Sequence, residues 1–268
     1  MYNFSTCISD KIAQGFQQKL NACNQLLIYN IEVDELFDGK TLHNLNGDEL
    51  ENYRNMLIMS GKKIVIYSSS EPVENLEYYK ILFRKAHLLN IKNINIKNIH
   101  NSSHFRASEN ESCTCGKKEI EEFACDLQRI ARMGENYGIR ILLENQSGSE
   151  IAEDSQITNI FKLVKSEYLG LVFNPLEFVK LKKHPFFHVF YNSKLKNNIH
   201  FLRISDGLFV DGKPTLPGKG NAELKELASI LLSRSFNGCF SFTPYLEQKD
   251  MDSYRDVIEK FKIMLMEI

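Results

Sequence analysis

Strand-like and helix-like runs alternate along the whole chain, and this alternation constrains the fold more than any other feature. Eight runs rich in Ile, Val, Leu, Phe and Tyr are each followed by a segment with helical periodicity. Such alternation is typical of a parallel sheet covered by helices. It predicts strands near residues 2–7, 28–33, 63–68, 92–97, 139–145, 169–174, 199–205 and 239–245.

The segments between these runs carry apolar stripes at helical spacing. We expect Asn221 to be the N-cap of the seventh helix and Asp250 or Asp252 that of the last, because these side chains accept hydrogen bonds from helix N-termini. No repeat or Pro/Ser-rich linker interrupts the pattern, and 268 residues are within the range of one α/β barrel. The prediction is one (β/α)₈ (TIM) barrel spanning residues 1–268.

Composition and charge exclude several classes of partner. The chain has 33 Lys and Arg against 34 Asp and Glu, and no dense basic block, so nucleic acid is not expected to bind. No apolar run is long enough to cross a bilayer, and the first residues do not resemble an export signal. We therefore expect a cytoplasmic protein with reduced cysteines, whose close pair Cys113 and Cys115 is assigned no function. The oligomeric state is left open.

A long polar stretch, residues 98–117, lies between the fourth predicted strand and its helix. Loops of this length are uncommon unless they are functional or disordered. In a barrel this loop follows a strand on the face that carries active sites, so it is a possible lid. A surface loop without a role is the equal alternative. His104 is the one histidine in it that we retain as a ligand-binding candidate.

Polar side chains recur where the predicted strands end. Successive side chains of a strand point to opposite faces, and the apolar ones must pack under the helices. The polar remainder should converge on the mouth of the barrel, where we favour a ligand site over a merely satisfied polar core. These candidates are Asn95, Lys97, Glu144, Gln146, Asn174, Arg203, Ser205, Thr243 and Tyr245.

Several segments resemble the xylose-isomerase-like family of sugar isomerases and epimerases. YNIEVDELFDG resembles the family's second-strand segment with its glutamate, here Glu32, and ENYGIRILLENQSG resembles the fifth, which ends in a metal-binding glutamate, here Glu144. YLGLVFNP, NNIHFLRISDG and LPGKGNAELKELASILLSRSFNGCFSFTPY resemble the segments around strands six, seven and eight. The resemblance covers nearly the whole chain.

This resemblance implies a divalent metal, such as Mn, Mg or Zn, held by Glu, Asp, His and Glu from strands five to eight. Here only Glu144 matches, because Asn174, Arg203 and Thr243 stand at the other three positions. A guanidinium offers only donors and a fixed positive charge. We expect no metal or other cofactor; instead, Arg203 is predicted to pair with Glu144, with Lys97 opposite Glu32.

Three other features carry weaker signals. His200 lies three residues before Arg203 and should face away from the site, and His184 and His188 should be packing or surface residues. The Pro217–Gly220 loop can present N–H groups to a phosphate, although a turn that merely starts a helix explains it better.

Two functions remain open. The first is a divergent, metal-independent isomerase or epimerase acting on a sugar or sugar phosphate, with Glu144 as acid/base and Arg203 and Lys97 stabilising the oxyanion. The alternative is a non-catalytic barrel that binds a small anionic or polyhydroxylated ligand. A Schiff-base enzyme built on Lys97 is disfavoured by its polar neighbours. The related DNA-repair barrels are disfavoured because they need more histidine and carboxylate ligands and a basic groove.

Overall fold

Eight parallel strands close into a barrel, as the alternating pattern predicts. The computed structural model describes residues 2–97, 115–149, 151–191, 193 and 195–268. Neighbouring strands in the barrel follow chain order, and the last pairs with the first, where Ser5 lies beside Ser241. The strands are β1 Phe4–Cys7, β2 Asn30–Val33, β3 Lys63–Ser69, β4 Asn93–Ile96, β5 Arg140–Glu144, β6 Leu169–Phe173, β7 Ile199–Arg203 and β8 Cys239–Phe242.

A helix follows each strand and covers the outside of the barrel. These helices are α1 Phe16–Gln25, α2 Gly47–Ser60, α3 Leu76–Leu88, α4 Cys115–Glu135, α5 Asp154–Leu163, α6 Pro175–Lys180, α7 Leu224–Ser233 and α8 Met251–Met266. Two short hairpins, Leu36–Phe37 with Lys40–Thr41 and Asp206–Gly207 with Pro214–Thr215, lie outside the barrel sheet. The chain thus forms a (β/α)₈ barrel.

Capping follows the sequence at one predicted helix start and departs from it at another. The Asp250 side chain accepts from the Ser253 N–H at the start of α8, as one of the two predicted caps. The prediction of Asn221 as the cap of α7 is wrong. That helix begins after Glu223, and the Asn221 side chain instead accepts from the Phe209 N–H. Asn221 therefore fixes the preceding hairpin rather than the helix.

Apolar side chains fill two separate layers. The larger layer packs between the strands and the helices and includes Ile94, Ile96, Phe240 and Phe242. A small inner cluster, made of Ile66, Leu142, Val172 and Phe201, fills the barrel itself. This inner cluster fills the barrel below the strand ends. The polar residues two positions further along the strands, such as Glu144 and Arg203, therefore lie above an apolar layer.

Most of the predicted lid falls outside the described residues, including His104 and Cys113. From Cys115 onward the chain belongs to α4, so the last three residues of the predicted lid start a helix. Among the helices of the described ranges, none is both long and apolar enough to span a bilayer.

Candidate functional site

A cavity of about 590 Å³ opens at the carboxyl ends of the strands. Most of the predicted site residues line it, because each lies in the last two residues of its strand or within two residues after the strand ends. The predicted residues along its wall are Glu32, Asn95, Lys97, Glu144, Gln146, Asn174, Arg203 and Thr243.

Arg203 lies at the centre of the cavity floor. Its Nε donates to Oε1 of Glu144 at 3.1 Å, and its Nη2 donates to Oε2 of the same carboxylate at 2.8 Å. Its Nη1 lies 2.5 Å from Oε2 of Glu32, so one guanidinium bridges two carboxylates. The Arg203 side chain is only 6% exposed. Burial opposes its charge, but Glu144 and then Glu32 raise the pKa of Arg203 above its ordinary value.

Glu32 is the more deeply buried of the two carboxylates, with a side chain 4% exposed. Its Oε1 accepts hydrogen bonds from the hydroxyls of Ser5 and Ser241, at 2.6 and 2.5 Å. Arg203 Nη1 also donates to Ser241 Oγ. The two serines come from the paired strands β1 and β8 and hold the Glu32 carboxylate in place against Arg203.

Lys97 does not balance Glu32, and that prediction is wrong. Its Nζ lies 2.7 Å from Oδ1 of Asp34, in the loop that follows β2. Burial alone would lower the pKa of Lys97, but the hydrogen bond and charge of Asp34 raise the pKa above its ordinary value. A raised pKa keeps the lysine protonated at neutral pH, which opposes a Schiff-base role. The pair is half-exposed on the cavity wall.

Amide side chains complete the contacts of Glu144. Asn174 Nδ2 donates to Oε1 at 3.0 Å, and Asn95 Nδ2 approaches Oε2 at 3.4 Å. Ser205 Oγ donates to Asn174 Oδ1, so this buried serine supports Asn174 from behind. Asn145, which sequence reasoning missed, is fully buried and bonds the backbone N–H and C=O of Asn174. These contacts fix the orientation of the Glu144 carboxylate.

Tyr245, a predicted ligand-binding residue, has other surroundings. Tyr245 donates from its hydroxyl to the Thr215 carbonyl and lies against α8 residues, away from the main cavity. Its prediction fails because β8 ends at Phe242, and strand alternation says nothing about the chain beyond that residue. His104 lies outside the described residues.

The histidines near the barrel follow the sequence interpretation. His200 faces away from the cavity towards Gly170 and Arg140. Burial, and then the charge of Arg140, lower the pKa of His200 to about 4. After α6, His184 precedes the helical segment Pro185–Phe190 and contacts Glu223, and His188 lies within that segment.

The glycine-rich loop before α7 is occupied by a carboxylate of the chain itself. Asp206, buried at the end of the seventh-strand segment, accepts from the N–H groups of Gly207, Gly218, Gly220 and Ala222. A Cβ at position 220 would clash with Asp206 Oδ1 and the Gly207 carbonyl, so the close approach requires glycine. The loop therefore holds a structural aspartate, and the phosphate interpretation of Pro217–Gly220 is not supported.

Sequence reasoning also missed several residues of the cavity wall. Lys11, Lys249, Glu177 and Cys7 line it in addition to Asp34. Cys7 ends β1 and Glu177 belongs to α6, whereas Lys11, Asp34 and Lys249 lie in loops after strands, where no periodicity predicts side-chain direction. Burial, reinforced by Asp34 and Glu32, raises the pKa of the Cys7 thiol to about 12, so it is no thiolate nucleophile at neutral pH.

The donor set does not fit the divalent metal that the resemblance implies. Both oxygens of Glu144 accept from N–H donors of Arg203, and the guanidinium itself lies between the carboxylates of Glu32 and Glu144. Asn174 Oδ1 accepts from Ser205, and Thr243 brings no anion. Within the described ranges, no three His, Cys, Asp or Glu side chains cluster as metal ligands would.

The comparison with family models identifies a match to the xylose isomerase-like TIM barrel over residues 35–264. Among solved structures, the 3-keto-D-glucoside 4-epimerase of E. coli aligns over 98% of this chain and 100% of its own, with 10% identity and a TM-score of 0.75. A D-tagatose 3-epimerase-like protein aligns over 97% of both chains, with 14% identity and a TM-score of 0.74.

A further xylose isomerase-like barrel, from Mycobacterium smegmatis and in complex with magnesium, aligns over 99% of this chain and 97% of its own. Its identity is 15% and its TM-score 0.73. At these identities the likeness concerns the fold alone. No curated protein matches the chain.

Proposed function

Because the chain belongs to the xylose isomerase-like TIM barrel family, we propose that it is a divergent isomerase- or epimerase-like protein that binds a sugar or sugar phosphate without a divalent metal. The observation that carries the proposal is the position of the Arg203 guanidinium between the carboxylates of Glu32 and Glu144. A fixed cation at this point supplies the positive charge that a metal would otherwise bring.

The ligand class follows from the cavity wall. Asn95, Gln146, Asn174 and Thr243 offer amide and hydroxyl groups that match the hydroxyls of a sugar. The proteins of similar fold include a 3-keto-D-glucoside 4-epimerase and a D-tagatose 3-epimerase-like protein. Both names concern sugars, which supports the same ligand class here.

In the catalytic form of the proposal, Glu144 moves a proton at the carbon beside a sugar carbonyl. Arg203 and Lys97 then stabilise the charge that develops on the carbonyl oxygen. No second carboxylate stands at position 243, so one residue must carry the proton in both directions or a water must assist. The contact between Arg203 and Glu144 supports these roles, as does the presence of Lys97 in the lining of the same cavity.

A specific observation favours the alternative, a non-catalytic barrel that binds such a ligand. Oε1 of Glu144 accepts from Arg203 and Asn174, and Oε2 accepts from Arg203 with Asn95 nearby. A carboxylate whose lone pairs are all engaged is a poor base, because proton uptake must break one of these contacts.

Proton exchange in D₂O distinguishes the two functions. The protein, treated with EDTA, is incubated with a panel of ketoses, aldoses and their phosphate esters, and NMR follows loss of the proton beside the carbonyl. Binding is measured in parallel by calorimetry. Exchange that survives EDTA and is lost in Glu144→Gln, but not in the exposed control Glu259→Gln, supports the enzyme.

Each other outcome also has a meaning. Binding without exchange supports the non-catalytic barrel. Exchange that requires added Mn²⁺ or Mg²⁺ would show that metal independence is wrong. Failure of every sugar and sugar phosphate to bind would refute the ligand class.

A further inference from the structure

Some of the cationic side chains that line the cavity have carboxylate partners, and others have none. Three are neutralised: Lys19 lies 2.6 Å from Asp10, Lys97 pairs with Asp34, and Arg203 pairs with two glutamates. The other two are Lys11 and Lys249, and neither side chain has a carboxylate partner in the described part of the chain. Two lysines of the cavity lining therefore have no ion pair within the described residues and can serve a ligand.

These two lysines come from neighbouring parts of the rim. Lys11 follows β1 and Lys249 follows β8, and β1 and β8 are hydrogen-bonded neighbours in the barrel. Ser9 and Thr243, on the same two loops, add hydroxyl groups to this side of the cavity wall. The rim between β1 and β8 thus combines positive charge with hydroxyl donors.

The floor of the cavity has the opposite balance. Glu32 and Glu144 together carry two negative charges against the single positive charge of Arg203. A ligand group with a full negative charge is attracted more strongly to the rim than to this floor, because Arg203 already has two carboxylate partners. The cavity therefore orients a ligand that is charged at one end and hydroxylated at the other.

We infer that Lys11 and Lys249 form a phosphate-binding subsite, so that the ligand is a sugar phosphate with its phosphate at the rim and its hydroxyls towards Asn95 and Asn174. A phosphate ester carries a charge of about −1.5 to −2 at neutral pH, which two ammonium groups match, whereas a carboxylate needs only one. The sugar half of this assignment rests on the proposed function. The phosphate half rests on the two lysines alone.

The subsite is tested with inorganic phosphate as the probe. ³¹P NMR titrations at pH 7.5 compare the wild-type protein with the double variant Lys11→Met, Lys249→Met. We expect saturable binding to the wild type and about tenfold weaker binding to the variant, as two partly exposed ion pairs are lost. Acetate, a monoanion, should compete poorly with phosphate.

The matched control removes two lysines far from the cavity, Lys92 before β4 and Lys260 on α8, and should bind phosphate like the wild type. Circular dichroism verifies that both double variants are folded. Absent binding, or binding that Lys11→Met with Lys249→Met leaves unchanged, would overturn the subsite. If phosphate does not bind through the lysines but neutral sugars still bind the protein, the subsite is wrong and the proposed function stands. If phosphate binds through both lysines but no sugar binds, only the proposed function is refuted.

Discussion

Arg203 and Glu144 meet through two parallel hydrogen bonds although they stand on strands separated by β6. The guanidinium reaches across the cavity floor, with donor–acceptor distances of 3.1 and 2.8 Å. Its remaining edge contacts Glu32 on the far side of the barrel. One side chain therefore connects β2, β5 and β7 at the point where the cavity begins. Its removal should lower the stability of the fold and weaken the binding of any ligand.

Arg203→Met should destabilise the protein by about 3–5 kcal/mol, because it leaves two carboxylates without their cation. The double variant Arg203→Met with Glu144→Leu should recover only part of this loss, since Glu32 stays stranded. The triple variant that also carries Glu32→Leu should recover more. Urea unfolding measures each free energy, and additive effects of the three changes would show that these residues do not interact.

Metal binding should be absent from the wild type and recoverable by design. EDTA, Mn²⁺ and Mg²⁺ should leave the wild-type Tm unchanged. The Tm of Arg203→His alone should also be insensitive to metal, because Asn174 and Thr243 still provide no carboxylate ligand. Adding Asn174→Asp and Thr243→Glu should give a variant whose Tm rises by about 5 °C with saturating Mn²⁺. A wild-type Tm that EDTA lowers, with a stoichiometric metal by elemental analysis, would contradict the charge replacement.

Much of this site could be predicted from strand parity. Glu144 and Arg203 end their strands, and Asn174 comes directly after its strand, so closure of the barrel brings all three to one face. Parity holds only while the strand continues. Tyr245 comes three residues after β8 has ended, and its hydroxyl bonds Thr215 instead of entering the cavity.

Partners that come from loops could not be predicted in the same way. Charge alone assigns Lys97 to Glu32, but Lys97 pairs with Asp34, in the loop after β2. Asn221 has the residue type of a helix cap, and yet the hairpin before α7 needs its side chain at Phe209. In both cases tertiary contacts, which have no periodic signature, decide between local alternatives.

Acid should destabilise the protein partly through His200. The pKa of His200 is lowered to about 4 in the folded protein by burial and by Arg140, against about 6.5 in an unfolded chain. Between these values the unfolded chain binds the extra proton, so stability falls as the pH drops from 6.5 towards 4, by at most about 1.4 kcal/mol per pH unit.

The variant His200→Gln should flatten this part of the curve of unfolding free energy against pH, measured by urea unfolding. The exposed control His87→Gln should keep the wild-type slope. A slope that His200→Gln does not change would show that this histidine titrates alike in both states.

Asp206→Asn should destabilise the protein by about 3 kcal/mol and loosen one loop, because the carboxylate of Asp206 accepts from four backbone N–H groups and an amide nitrogen cannot. Hydrogen exchange gives the specific readout: the amides of Gly218, Gly220 and Ala222 should exchange faster, while those of β5 keep their protection relative to global stability. Asp211→Asn, in the same hairpin but half-exposed, is the matched control and should change neither quantity much. Unaltered exchange at Gly218 and Gly220 in Asp206→Asn would mean that the loop holds its shape without the aspartate, contrary to this prediction.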